Sequence, residues 1–217
     1  MEKKLLKKLK AKIFPSHIDR MARLWESDGG DEAFRFDYEL DDNSVVIDLG
    51  GYDGQWASDI YSRYGCTVYI FEPVLEYSEK IAKRFAKNPK IKVFSYALGG
   101  TSRTLEIAVS GTSSSVFTEV GGKPLHKIQV VDASKWLEDA KLDSIDLMKV
   151  NIEGGEYELV DRLIAADKIR LIKDIQIQFH DVRPDSKAHM NRIQQQLART
   201  HKKTYAYEFI WENRHKQ

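Results

Sequence analysis

Ser44-Val45-Val46-Ile47-Asp48-Leu49-Gly50-Gly51-Tyr52-Asp53-Gly54 is the stretch whose reading decides the fold of this chain. Residues 45–49 are a short, β-branched apolar run of strand length, and a helical pattern begins directly after Gly54. A buried strand, a glycine turn and a helix N-terminus together make the first unit of a nucleotide-binding α/β fold. The glycines let the backbone approach a ligand where a Cβ would collide with it. A second strand-like run, residues 67–71, ends in Glu72. It lies roughly 20 residues beyond the turn, where an acid can accept hydrogen bonds from both hydroxyls of a ribose.

The spacing bears on the cofactor. A dinucleotide fingerprint is G-x-G-x-x-G, with its second glycine against the pyrophosphate. Here the order is Asp48-x-Gly50-x-x-x-Gly54, with a carboxylate at the strand end. That carboxylate suits the amino group of a methionine moiety better than a pyrophosphate. S-adenosylmethionine (SAM) is therefore expected over NAD. A plain strand-turn-helix without ligand is the remaining reading.

Outward from this unit, strands and helices alternate. Residues 16–26 read as a helix capped by Ser16, and residues 34–38 alternate like a short strand. Helices are expected to about residue 64, over 75–87, from Ser134 through Trp136 and Leu137, from 156 to about 166, and over 186–200. Strands are expected at 67–71, 91–97, 104–109, 127–131, 145–150, 171–179 and 204–211, followed by a charged tail. Residues 110–115 read as a small-residue loop, either a substrate lid or a plain connection. This alternation implies an α/β fold with a doubly wound, mostly parallel sheet and helices on both faces. Ligands in such sheets sit outside the carboxyl ends of the strands. Asp48, Glu72, Asn151, Glu153, His180 and Asp181 all fall at those ends.

At 217 residues one domain is expected, over 41–217, preceded by a helical extension over 1–40. Residues 1–12 hold six lysines and one glutamate, a local charge of +5, which leaves −4 for the rest of a chain with net charge +1. That balance gives no case for a nucleic-acid partner. Leu5, Leu6, Leu9 and Ile13 lie at helical spacing among the lysines, a basic amphipathic helix over 2–13. It is read as packed on the domain edge or as docking weakly on an anionic membrane surface. The one cysteine, Cys66, excludes an intramolecular disulfide, consistent with a reducing, cytoplasmic setting. No apolar run approaches the length of a membrane span, and the N-terminus lacks the apolar core of a secretory signal. His17, His126, His189, His201 and His215 show no metal-ligand spacing and are read as surface residues; no metal ligand is assigned.

With these pieces in place the chain resembles the FkbM family of SAM-dependent methyltransferases. The resemblance rests on Val46 to Gly54, Phe71-Glu72-Pro73, Ala97-Leu98-Gly99, Ser113-Ser114-Ser115, Val131-Asp132-Ala133-Ser134-Lys135-Trp136-Leu137 and Met148-Lys149-Val150-Asn151-Ile152-Glu153-Gly154-Gly155-Glu156, in family order. Asn151 departs from the family pattern, which usually has aspartate there. The resemblance implies a class I methyltransferase fold and O-methyl transfer, often onto a sugar or another hydroxylated small molecule. Asp48, Gly50, Gly51, Tyr52, Asp53, Gly54, Glu72, Pro73, Ala97, Leu98 and Asn151 become the candidate SAM-binding residues. His180 is the candidate base, since it stands at a strand end and has a suitable intrinsic pKa. Glu153 is expected to contact substrate or cofactor, and Asp181 either to orient His180 or to cap the next segment. A SAM-binding module without catalysis and an NAD-dependent oxidoreductase are the rivals.

Overall fold

A computed structural model describes residues 15–110, 113–115 and 125–217. The expected helix at 2–13 lies outside the described residues, as do Gly111 and Thr112 of the small-residue loop. The centre is a seven-stranded sheet of β1 (Val45–Leu49), β2 (Thr67–Phe71), β3 (Ile91–Phe94), β8 (Ile145–Val150), β9 (Ile172–Ile177), β10 (His201–Tyr207) and β11 (Trp211–Lys216), in the order β10-β11-β9-β8-β1-β2-β3. Only the β11 pairings are antiparallel. A second sheet is inserted before β8, ordered β4-β7-β5-β6, from β4 (Ala97–Gly99), β5 (Arg103–Ser110), β6 (Ser113–Ser115) and β7 (Leu125–Asp132).

Residues in a strand alternate between its two faces, and here both faces are covered. Ile47, Leu49, Phe71, Met148 and Val150 pack with α4 (Ala133–Ala140), α5 (Glu156–Ala165) and α6 (Ser186–Leu197). Val46, Val68, Ile70 and Leu147 pack with α2 (Gln55–Tyr64) and α3 (Leu75–Arg84). Asp48 and Lys149 belong by the same alternation to the α2 side. They are register partners across β1 and β8.

Five expectations are corrected. Residues 34–38 form no strand: Gly30–Phe34 is a single π-helical turn whose amides bond locally, Ala33 N–H to Gly29 and Arg35 N–H to Gly30. Phe34 instead stacks on Tyr205, 5.2 Å between centroids. Residues 91–97 are not one strand, because the chain leaves β3 after Phe94 and Ala97 begins β4 in the other sheet. The helix of Trp136 is capped by Asp132, whose carboxylate accepts from the Ser134 and Lys135 amides, and not by Ser134. The charged tail is the seventh strand. Glu212, Asn213 and Arg214 are buried in β11 because each finds a partner: Arg214 donates to Glu212 at 2.9 Å, and Asn213 donates to Asp174 at 3.0 Å. Helix α1 (His17–Ser27) does begin at Ser16, which forms a reciprocal capping box with Asp19. His201 is not a surface residue: it is fully buried, with Nε2 at 2.9 Å from the Ile172 carbonyl.

Candidate active site

A cleft of about 1080 Å³, counting its space open to solvent, lies at the carboxyl ends of β1, β2 and β8 and under the inserted sheet. Leu49, Gly50 and Tyr52 line it from β1, Phe71, Glu72 and Pro73 from β2, and residues 151–155 from β8. Ala97, Leu98, Leu105, Ile107, Ile128 and Val130 form its wall on the inserted sheet.

The turn after β1 is tied to its neighbours. Gly50 has φ +85, and a Cβ there would stand 2.0 Å from the Asn151 carbonyl oxygen, so only glycine fits. Tyr52 also adopts a left-handed conformation, φ 50. Its amide donates to Glu72 Oε2 at 2.9 Å, while the Val74 amide donates to Glu72 Oε1 at 2.9 Å. Burial pushes the Glu72 carboxyl up, and the two amides only partly offset this. Each carboxylate oxygen keeps a further lone pair free to accept from a ligand. Tyr52 meets Tyr77 edge to face at 5.1 Å on the rim.

Asp48 does not reach the cleft. Its carboxylate is fully buried on the α2 side, with Oδ1 accepting from Lys149 Nζ at 2.8 Å and Oδ2 without a partner. Lys149 Nζ also donates to the Gly50 carbonyl at 2.7 Å and lies 5.8 Å from the Trp56 ring centroid. Burial raises the Asp48 pKa in spite of Lys149. Gly51, Asp53 and Gly54 shape the turn without lining the cleft: Gly51 packs on Ile70, Asp53 Oδ1 accepts from the Gln55 amide, and Gly54 lies against Phe85 at the start of α2. Of the expected SAM-binding residues, Gly50, Tyr52, Glu72, Pro73, Ala97, Leu98 and Asn151 line it.

The β8 side carries Asn151, Glu153 and His180. Asn151 Oδ1 is buried without a partner. Glu153 lines the cleft at φ 53, with Oε1 3.7 Å from His180 Nε2. His180 sits behind Glu153 and does not line the cleft. Its Nδ1 lies 3.2 Å from Oε1 of Glu156, which is fully buried. Asp181 is exposed, and the place beside His180 Nδ1 belongs to Glu156. Lys149 and Glu156 were the residues missed from sequence. A lysine inside an apolar strand run was the available signal for the first; the second, at the start of an expected helix, carried none.

The donor set fits SAM. Glu72 offers acceptors where a ribose would lie, the orphaned Asn151 Oδ1 offers a buried acceptor for an amino group, and the aliphatic wall suits an adenine. Among the described residues no cluster of three or more His, Cys, Asp or Glu could hold a metal ion, and no helix is long and apolar enough to cross a membrane.

A sequence model described as the methyltransferase FkbM domain matches residues 48–207. No curated protein matches the chain. Among solved structures, one of a fibrillarin/Nop5p complex is similar with 12% identity, over 82% of this chain and 75% of that one, at TM-score 0.51. A putative rRNA-methylase from Clostridium thermocellum is similar with 8% identity, over 83% and 91%, at TM-score 0.50. At such identities the likeness is one of fold, that of class I methyltransferases. The expectation of no nucleic-acid partner gains no support from them.

Proposed function

The chain belongs to the FkbM methyltransferase family, and from that premise we propose that it O-methylates a hydroxyl of a sugar or similar small metabolite, with SAM as donor. Glu72, Asn151, Gly50 and Tyr52 would hold the ribose and methionine parts, and Pro73, Ala97 and Leu98 the adenine. When bound, SAM supplies a methyl group activated on a sulfonium and open to in-line displacement. Holding donor and acceptor in line is then much of the catalysis. A protonated hydroxyl is a poor nucleophile, so a base within reach is the other requirement.

The observation that carries this reading is the Glu153–His180 pair at 3.7 Å, in and behind the wall of the cleft whose opposite side holds Glu72. The test is release of S-adenosylhomocysteine from SAM with a panel of sugars and other hydroxylated metabolites. Turnover with a hydroxyl acceptor is expected. Turnover with amine or nucleic-acid acceptors alone would refute the reading. SAM binding without turnover on any panel would favour the non-catalytic module, and preference for NAD in a cofactor titration would favour an oxidoreductase. For residues 1–13 we propose packing on the domain edge or, as the alternative, weak contact with an anionic surface, and for the chain a cytoplasmic setting, on the lysine pattern and the single cysteine.

A further inference from the structure

We propose that Glu153 is the group that receives the acceptor's proton, and that His180 is a positioning residue acting through Glu153 from a seat fixed by Glu156. The inference rests on the O-methylation reading and assigns roles within the same site.

Glu153 lines the cleft and His180 does not. To take a proton itself, His180 would have to present Nε2 to the acceptor, and Nε2 faces Glu153 Oε1 at 3.7 Å. The other ring nitrogen is committed, lying 3.2 Å from Glu156 Oε1. The same oxygen accepts from the His180 amide at 2.8 Å, and Glu156 Oε2 accepts from the Gly154 amide at 2.8 Å. Tyr157 donates its hydroxyl to the His180 carbonyl at 2.8 Å. Three bonds to its backbone and ring hold His180 in one orientation, and two backbone donors fix the buried carboxylate behind it. With Nδ1 turned to Glu156 Oε1, Nε2 is the ring nitrogen left to face Glu153.

The backbone agrees with this order. Glu153 is held at φ 53 and Gly154 at φ 107, immediately before α5. A left-handed glutamate costs energy and persists where its surroundings over-determine it. The strained turn sends this carboxylate into the cleft.

The charges facing the imidazole are Glu153 from the turn after β8, and Glu156 from α5. Tyr157 on α5 and Asp181 and Arg183 on the segment after β9 stand nearby, with the Arg183 guanidinium over the Tyr157 ring at 4.9 Å. Burial pulls the His180 pKa down, but the Glu156 hydrogen bond and the two carboxylate charges outweigh it and leave it raised. Burial pushes Glu153 up, against the pull of His180. At 3.7 Å each of the two groups acts on the charge of the other.

In the step, the acceptor oxygen forms the new C–O bond to the methyl carbon as the C–S bond breaks, its electron pair staying on sulfur. The hydroxyl proton passes to the Glu153 carboxylate and leaves through the open cleft. When His180 is protonated, its charge favours the ionised, base-competent form of Glu153 against the effect of burial.

The test uses the full chain. The His180 ring signal is titrated by NMR in the wild type and in Glu153→Gln, a partly exposed, near-isosteric change. Its midpoint is expected to fall in the variant, since a raising charge is lost. In turnover with a hydroxyl acceptor, Glu153→Gln is expected to lower kcat about 10²-fold. His180→Gln is expected to lower it less and to move the acid limb of the kcat profile to higher pH, because Glu153 loses its positive neighbour. An unchanged His180 midpoint in Glu153→Gln overturns the inference whatever the acceptor. So does a His180→Gln loss as large as that of Glu153→Gln with no shift of the acid limb. Wild-type turnover of non-hydroxyl acceptors alone sinks the O-methylation reading and the proton-transfer role with it, while the midpoint still reports whether the pair is coupled.

Discussion

Replacing Lys149 by methionine removes the cation bonded to Asp48 in a buried site and leaves the carboxylate behind. Asp48 is fully buried, its Oδ2 has no partner, and its Oδ1 would lose the Nζ donor at 2.8 Å. The Gly50 carbonyl would lose its donor at 2.7 Å in the same change. Breaking a buried pair from one side typically costs about 3–5 kcal/mol. The two losses share one nitrogen, so they are not summed. An expected loss of about 4 kcal/mol at neutral pH is a large share of an ordinary domain's 5–15 kcal/mol. The pH dependence has a definite sign. Burial already raises the Asp48 pKa, with Lys149 the largest opposing influence. Without Lys149 it rises further above the unfolded value. The folded state then favours the protonated acid, so stability is greatest below the unfolded pKa and is lost as pH rises through the folded one. The gap between Lys149→Met and wild type should therefore narrow from pH 8 towards pH 5. Adding Asp48→Asn removes the unpaired charge and should recover most of the loss. Urea unfolding of the three proteins at both pH values, followed by tryptophan fluorescence, measures all of this. A Lys149→Met loss under about 1 kcal/mol, or a double variant no better than the single one, would refute the reasoning.

Glu72→Ala should lower SAM affinity on the order of tenfold or more, since hydrogen bonds to a charged group are worth roughly 1.5–3 kcal/mol; unchanged affinity by calorimetry in a folded variant would remove the ribose assignment. Asp132→Ala should cost about 1–2 kcal/mol, as it uncaps α4 and frees Arg162, whose Nε lies 2.9 Å from Asp132 Oδ2. Burial opposes ionisation of Asp132, but the Arg162 bond and the capped amides hold its pKa below the usual carboxylate value. Its stabilisation is thus present above the unfolded pKa and lost as pH falls through the folded one, and chemical unfolding of variant and wild type should converge in acid. Deleting residues 1–13 should abolish salt-sensitive co-sedimentation with anionic vesicles and leave SAM affinity intact; equal sedimentation by both forms would end the membrane-surface reading.

How far the sequence reached depended on the range of the forces involved. Strands at 45–49, 67–71 and 145–150 were legible because β-branched apolar runs between turn residues need no knowledge of their partners. Gly50 and Glu72 were legible for the same reason: a turn and an acid at a strand end are local, periodic features. Their convergence on one cleft follows from parallel strand order. The sequence also yielded Ser16 as a cap, because a capping box is completed within four residues.

What it could not decide involved groups distant in the chain. Asp48 reads as a ligand-facing acid at the end of a strand. Which side it faces is set by the pleat, and its neighbour there, Lys149, is 101 residues away. The charged run after Ile210 reads as a solvated tail, because burying it is acceptable only once its polar groups are satisfied: Arg214 pairs locally with Glu212, but Gln194 on Glu212 and Asp174 on Asn213 arrive from 18 and 39 residues away. His180 reads as a free strand-end base. Folding brings Glu156 onto its Nδ1 and places Glu153 between its Nε2 and the cleft. Local preference and periodicity fixed most of the elements and the sheet edge on which the cleft lies. The pairing of buried charges, which acts through space in a low dielectric, was decided by the tertiary structure alone.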